Sequence, residues 1–445
     1  MSIVHGLVDV RPLRTSPAFR RLWIGSSLSA MGGQLTLVAA LYQVWELTDS
    51  PAAVGALGLA RAVPMVVFGL VGGSLADAVE RRRLVLLTTI GQWFLALLLV
   101  AQAVANLGSL AILLGIVALQ STCSGLGSPA RRTFVPRLLP TELVAAGIAL
   151  NHLSFQLAML VGPAVAGVVV AAWGVDACYL LDAAMFLAAM YGVLGLPSMR
   201  PDGEVNRPGI AAIWVGWRFI AHRPALTGAF VTDVLATVLA MPIALFPAIN
   251  DERFGGRPET LGLFLSAIAV GGLTAGAMSG WLGRIRRPGA VMLVSAGVWG
   301  VGLAGFGLAQ YLWLAIGCLA VAGAADTLSV ISRGTLVQLA TPDSYRGRVS
   351  AVENIVGVSG PDLGNFRGGL VAGATSAGFA AVSGGVLCLL GIVVVAAVNP
   401  ALRRFTTSST ATATATSTAT ATSTATSTAT ASDSGTASAE LSPSS

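Results

Sequence analysis

Five ionisable residues sit where charge is expensive. Asp233, Asp326 and Asp362 fall inside long apolar stretches, and so do Arg61 and Arg367. A charge at the centre of a bilayer costs about 2.5–3.5 kcal/mol on insertion scales. An acid kept there is either paired or held neutral by a proton, and one that alternates between those states carries protons. Asp362 lies nearest the middle of its stretch, where lost hydration costs a carboxylate most. The structural alternative for each acid is a fixed ion pair, with Arg333 or Arg367 at hand. Glu353 and Asp182 lie near stretch ends, where solvation is easy, and are set aside. Arg61 and Arg367 suit an anionic ligand, an outer gate, or pairing with an acid. Gln34, Gln120, Asn151, His152 and Gln156 suit hydrogen bonds to a polar aromatic ligand; for His152 plain helix packing is the simpler role.

Other chemistries lack their residues. No Gly-rich phosphate loop leads into Lys-Ser or Lys-Thr, and no nucleophile–base set is visible. Cys123, Cys178, Cys318 and Cys388 lie in apolar runs without metal or disulfide spacing. The expectation is a protein that is not an enzyme and has no cofactor, metal or nucleotide, energised by an ion gradient.

The elements that must hold these residues follow from composition. Apolar residues make up 55% of the 445 and charged ones 10%, far below the quarter usual in soluble domains; mean hydropathy is +0.79. The apolar residues gather in stretches long enough to cross a core roughly 30 Å thick. Twelve spans are predicted, at 22–45, 53–75, 84–105, 109–128, 143–172, 176–196, 225–249, 260–283, 289–308, 311–332, 349–374 and 377–398.

All the basic residues are arginines, and they alternate with the spans. Apart from Arg61, Arg253, Arg257 and Arg367, all 26 precede span 1, follow an even-numbered span, or lie between spans 6 and 7. Arg-rich loops stay in the cytosol, so both termini are expected there. That pattern marks topology, and nucleic acid is not expected as a partner. The predicted domains are a cytosolic arm (1–21), a six-helix bundle (22–196), a cytosolic loop with an interfacial helix (197–224), a second six-helix bundle (225–398) and a low-complexity, disordered tail (399–445). The interfacial helix covers Ile210 to Ile220, with Trp214, Trp217 and Phe219 beside Arg218.

The halves echo each other. Arg131, Thr133, Val135, Pro140, Gly162 and Gly167 recur 202 positions later as Arg333, Thr335, Val337, Pro342, Gly364 and Gly369, and Gly73 and Leu75 recur 207 later as Gly280 and Leu282. Two similar halves imply a secondary transporter with its site at their interface. The fold class expected is an all-α integral membrane protein, twelve helices in two pseudo-symmetric bundles.

The segment Gly73-Ser74-Leu75-Ala76-Asp77, followed by Arg81-Arg82-Arg83, resembles the signature loop of the major facilitator superfamily. Ala78 and Glu80 depart from its usual basic and Gly positions. Gly162-Pro163-Ala164-Val165-Ala166-Gly167 is similar to the Gly-Pro motif of that superfamily's antiporters, although the basic residue many drug antiporters carry in span 4 is replaced by the polar Gln120. Pro17-Ala18-Phe19-Arg20, Phe246-Pro247-Ala248, Arg287-Pro288-Gly289 and Gly347-Arg348-Val349 resemble siderophore exporters of the superfamily.

The resemblance implies that Asp77, with Gly73 and Arg81, meets the start of span 11 near Arg348 and latches the outward-open state. It implies that Gly162, Pro163 and Gly167 of span 5 pack against a span 8 stripe of Gly272, Gly276 and Gly280, and that spans 1, 4, 7 and 10 line the cavity. The expected activity is export of a small molecule by proton antiport, with rocker-switch access across the plasma membrane, the substrate being a catecholate siderophore or related polar aromatic metabolite. A broad multidrug exporter is the alternative, and an embedded enzyme or channel a remote one. A monomer working with its substrate, protons and lipid is expected.

Overall fold

The computed structural model describes residues 9–199, 210–278 and 287–406, all helix and turn without a strand. Among the described residues, eleven helices are long and apolar enough to cross a membrane: Pro17–Thr48, Pro51–Ala78, Arg81–Val104, Leu110–Arg132, Thr141–Trp173, Val175–Leu194, Pro224–Phe254, Pro258–Ala277, Pro288–Leu308, Leu312–Ala340 and Ala377–Val398. These are spans 1–10 and span 12. Between the last two runs Asp343–Ala374, span 11, with 32 residues. It has the length but not the apolarity, because Asp343, Arg346, Arg348, Glu353, Asp362 and Arg367 are spread along it. Arg200, Arg207, Gly280, Leu282, Arg284, Arg286 and the tail from 407 lie outside the described residues.

Local chemistry sets the helix ends. Proline opens spans 1, 2, 7, 8 and 9, where its missing N–H loses no partner. The hydroxyls of Ser16, Ser50, Ser109 and Ser376 accept from amides three residues on. At the end of span 6, Arg21 donates to the Gly195 carbonyl and Arg82 to the Leu194 carbonyl, at 3.2 and 2.8 Å. Cations there complement the negative end of the helix dipole.

Glycines show that the 202-residue echo is structural. Gly162 of span 5 lies against Gln34 of span 1, and its equivalent Gly364 of span 11 against Thr237 and Met241 of span 7. Gly167 abuts the backbone of Pro258 and Glu259 opening span 8, and Gly369 that of Pro51 and Gly55 opening span 2. A Cβ on Gly167 would come within 2.7 Å of the Pro258 carbonyl oxygen, and one on Gly55 within 2.9 Å of the Asn365 carbonyl oxygen. The neighbours are backbone, so no rotamer change would relieve the clash.

These contacts gather on the face opposite the one carrying the two termini. Toward the terminal face, a Cβ on Gly69, Gly73, Gly276, Gly347 or Gly357 would meet nothing within 4 Å. On one face the bundles meet backbone to backbone; on the other, these glycines of spans 2, 8 and 11 are unopposed. Across the open face, Arg132 Nη2 donates to Asn354 Oδ1 at 2.9 Å. This splay corrects the expected span 8 stripe. Gly272 faces the Thr327 hydroxyl of span 10, Gly276 faces open space, and it is Gly262 that meets the Pro163 carbonyl of span 5.

Span 7, read as one run over 225–249, is broken. Helix Pro224–Ala240 gives way at Met241 and Pro242 to a 3-10 turn, Ile243–Leu245, and a second helix, Phe246–Phe254. Pro242 lacks the helical donor and pushes Met241 to an extended conformation. Side chains satisfy the freed backbone. Arg367 Nη1 donates to the Leu239 carbonyl and Asn365 Oδ1 accepts from the Ala244 amide at 3.2 Å, while one turn earlier Trp299 Nε1 donates to the Ala236 carbonyl at 3.2 Å.

The helix Ile210–Ala221 lies on the start of span 11. Phe219 stacks on Tyr345 with centroids 4.4 Å apart; Arg223 sits over Phe219 at 4.9 Å and Arg348 over Tyr345 at 5.4 Å. Trp214 and Trp217 are exposed on its other side. The chain after span 12 first folds back: Asn399 Nδ2 donates to the Pro224 carbonyl at 2.6 Å and Leu402 is fully buried.

Candidate functional site

A cavity of about 540 Å³ lies between the halves, within the size range of small-molecule sites. The packed glycines Gly55, Gly58 and Gly262 lie between it and the closed face. Gln34, Arg61, Asp362 and Asn365 are its polar wall; Met65, Phe155, Met159 and Met241 are among its apolar ones. Arg61 and Asp362 interact electrostatically across it. Thus Gln34, Arg61 and Asp362 are brought together. Arg367 is turned instead to the break in span 7, where a carbonyl without a helical donor holds its guanidinium.

A second cavity, of about 190 Å³, adjoins the first inside the N-terminal bundle and shares Arg61, Ser121 and Ser124 with it. Gln120 lines it, with Gln92, Thr36 and Asp182. Asp182, set aside as easily solvated, is 1% exposed. It stands two turns into span 6, and spans 1 and 3 pack over that face. Thr36 Oγ1 donates to its Oδ2 at 2.7 Å. Distance from a span end says little once neighbouring helices cover the side chain.

The other acids lie in the C-terminal bundle. Asp233 is salt-bridged to Arg333, whose Nε is 3.6 Å from Glu353 Oε1. Asp326, two turns before Arg333 on span 10, is exposed and interacts electrostatically with both Asp233 and Arg333. Arg333 thus pairs with Asp233 and Glu353, and Asp326 lies within electrostatic reach of it. Glu353, discounted in the sequence, belongs to this group.

Asn151 lines a cavity of about 430 Å³ nearer the terminal face, with Arg131 and Arg132. Arg131 is in the last turn of span 4 rather than in a loop, and donates to Thr89 at 2.7 Å and Gln92 at 3.2 Å. Its echo with the buried Arg333 was the available signal. His152 is exposed, and neither it nor Gln156 lines these cavities. The expected signature loop falls on helix ends: Gly73, facing open space, and Asp77 are in the last turns of span 2 and Arg81 opens span 3, with Asp77 and Arg81 3.5 Å apart, while Arg348 lies on Tyr345.

The family model described as transmembrane secretion effector matches residues 9–430. The enterobactin exporter EntS of Citrobacter koseri is 30% identical over 403 residues, covering 90% of this chain and 96% of that one. The EntS protein of Shigella boydii is 30% identical over 405 residues with the same coverage. Among solved structures, a POT family transporter in complex with a thioalcohol conjugated peptide matches with a TM-score of 0.69 at 12% identity, over 87% of this chain and 96% of that one. A bacterial homologue of the iron transporter ferroportin, in an inward-facing state, matches at 0.65 and 16%, over 86% and 99%. These share its fold. With its length matched by the family model and two like halves around a central cavity, this multi-pass membrane chain belongs to the transmembrane secretion effector family of major facilitator transporters.

Proposed function

We propose that the chain exports a small polar aromatic molecule, a catecholate siderophore of the enterobactin kind, across the plasma membrane by proton antiport with alternating access. The observation that carries the reading is the contrast between the two faces: backbone-tight glycines on one, unopposed glycines at the other end of the same helices. Arg-rich loops assign the open face to the cytosol, so this conformer is the one that loads. Exchange then requires the cytosolic face to close. Gly73 leaves room for span 11, and Arg348 leaves Tyr345 for Asp77, whose charge suits a helix N-terminus.

The cavity chemistry supports the substrate class. Arg61 offers a cation to a catecholate oxygen, Gln34 hydrogen bonds, and Phe155 a ring face. The relatives' names point the same way. Asp326 is the coupling acid we favour in the C-terminal cluster, since Arg333 is already engaged by Asp233 and Glu353; Asp362, facing Arg61, senses the substrate.

A second reading rests on Met65, Met159 and Met241. Pliable thioether walls accommodate varied ligands, as a multidrug exporter needs. The test is proteoliposomes with an imposed proton gradient, offered enterobactin or a cationic dye. Gradient-driven accumulation of enterobactin alone supports the first reading, and accumulation of the dye alone the second. Equal passive leakage of both, with or without the gradient, would refute transport.

A further inference from the structure

We propose that Asp182 is a second proton-binding site, in the N-terminal bundle, and that Arg61 is the cation that takes the proton's place there. The proposal rests on the antiport reading for its role in transport, but not for the protonation itself.

The seat is built for a carboxyl. Gly32 and Thr36 stand one turn apart on span 1; a Cβ on Gly32 would collide with Asp182 Oδ1 and push the carboxyl from this seat. Thr36 donates to Oδ2, while Oδ1 has no hydrogen-bond partner. A carboxylate buried to 1% exposure with one hydroxyl donor and no cation is a costly species; the neutral acid suits this seat. Few charges compete for it. Span 1 presents Gly32 and Thr36, neither titratable. Span 3 presents Gln92, already tied to Arg131. On its own helix, one turn away, the Cys178 thiol donates to the Ala166 carbonyl at 3.7 Å. The remaining charge is Arg61, on the wall of the same cavity and of the central one, with no salt bridge among the described residues.

Arg61 thus stands between two acids, Asp362 and Asp182. When substrate or movement turns its guanidinium from Asp362 toward Asp182, the carboxyl ionises and its proton leaves into the cavity they share. The C-terminal bundle has no such device. The position 202 residues after Asp182 is Gly384, which abuts Arg367 and the Leu239 carbonyl, so its cation is held by backbone.

The test has two arms. Infrared titration of the purified protein is compared with Asp182→Asn, which keeps the shape but cannot ionise. We expect a protonated-carboxyl band at neutral pH that Asp182→Asn removes and Asp326→Asn does not; if Asp182→Asn leaves the spectrum unchanged, the site is refuted. In proteoliposomes with enterobactin as probe, Asp182→Asn should keep counterflow exchange but lose at least about tenfold in gradient-driven export, with Asp182→Glu restoring it. Unchanged gradient-driven export in Asp182→Asn, or loss of exchange as well, overturns the role in coupling. Should the unmodified protein itself ignore the gradient, the antiport reading fails instead, while the infrared result still decides the protonation.

Discussion

The two bundles agree in packing and differ in charge. Equivalent glycines make equivalent contacts: Gly162 and Gly364 with the first helix of their own half, Gly167 and Gly369 with the opening of a span in the other. The mid-depth polar groups are not shared. The C-terminal bundle ties Asp233 to Arg333 and Arg367 to the broken span 7, and leaves Asp326 and Asp362 outside those pairs. The N-terminal bundle holds an uncharged network of Gln43, Gln102 and Tyr179 toward the face opposite the termini, and leaves Arg61 and Asp182 without a salt bridge among the described residues. The shared part is what two rigid bodies need to rock; the unshared part is where the chemistry differs.

Substitutions can sharpen that contrast. The largest loss of stability is expected from Arg333→Met, about 3–5 kcal/mol by thermal denaturation in detergent, because it strands a buried Asp233. Adding Asp233→Leu should recover most of it. Next come Gly167→Leu and Gly369→Leu, each costing this conformer about 1–3 kcal/mol through overpacking. If the halves are mechanically equivalent, the two changes will open the sealed face to a membrane-impermeant thiol reagent to a similar extent. Asn365→Ala should cost about 1–2 kcal/mol by leaving the Ala244 amide unpaired in the break. Arg61→Met, in contrast to Arg333→Met, should shift stability by roughly 0.5 kcal/mol or less, as for sites with no fixed partner, yet abolish export. Smallest is Asp77→Asn: its half-buried i,i+4 pair with Arg81 contributes about 0.3–0.5 kcal/mol, so a marked slowing of transport would come from the latch and not from folding.

The sequence carried the bundle well and the charges poorly. Period-long apolar runs and arginine spacing disclosed the spans, and the 202-residue echo disclosed the repeat, because helices in lipid must satisfy their backbone internally and leave a plain signature. The break in span 7 was not legible from Pro242, since Pro64, Pro129, Pro163 and Pro361 all sit inside continuous helices. What distinguishes Pro242 is the pair Asn365 and Arg367 waiting in space. Arg367 was misread for the same reason: its partner is a carbonyl that exists only because of the break. Asp182 was missed because its burial depends on which helices cover it, and the clue, Gly32 and Thr36 one turn apart, lies on another span.

Everything turns on the claim that the two faces open and close in opposition. With the four cysteines replaced, spin labels at Val79 and Ser344 report on the terminal face and labels at Leu107 and Tyr311 on the other; all four positions are exposed. Pulsed dipolar spectroscopy before and after enterobactin and acidification measures both pairs. The account predicts that the Val79–Ser344 distance shortens as the Leu107–Tyr311 distance lengthens. Two distances that stay fixed, or that change in the same direction, would contradict it.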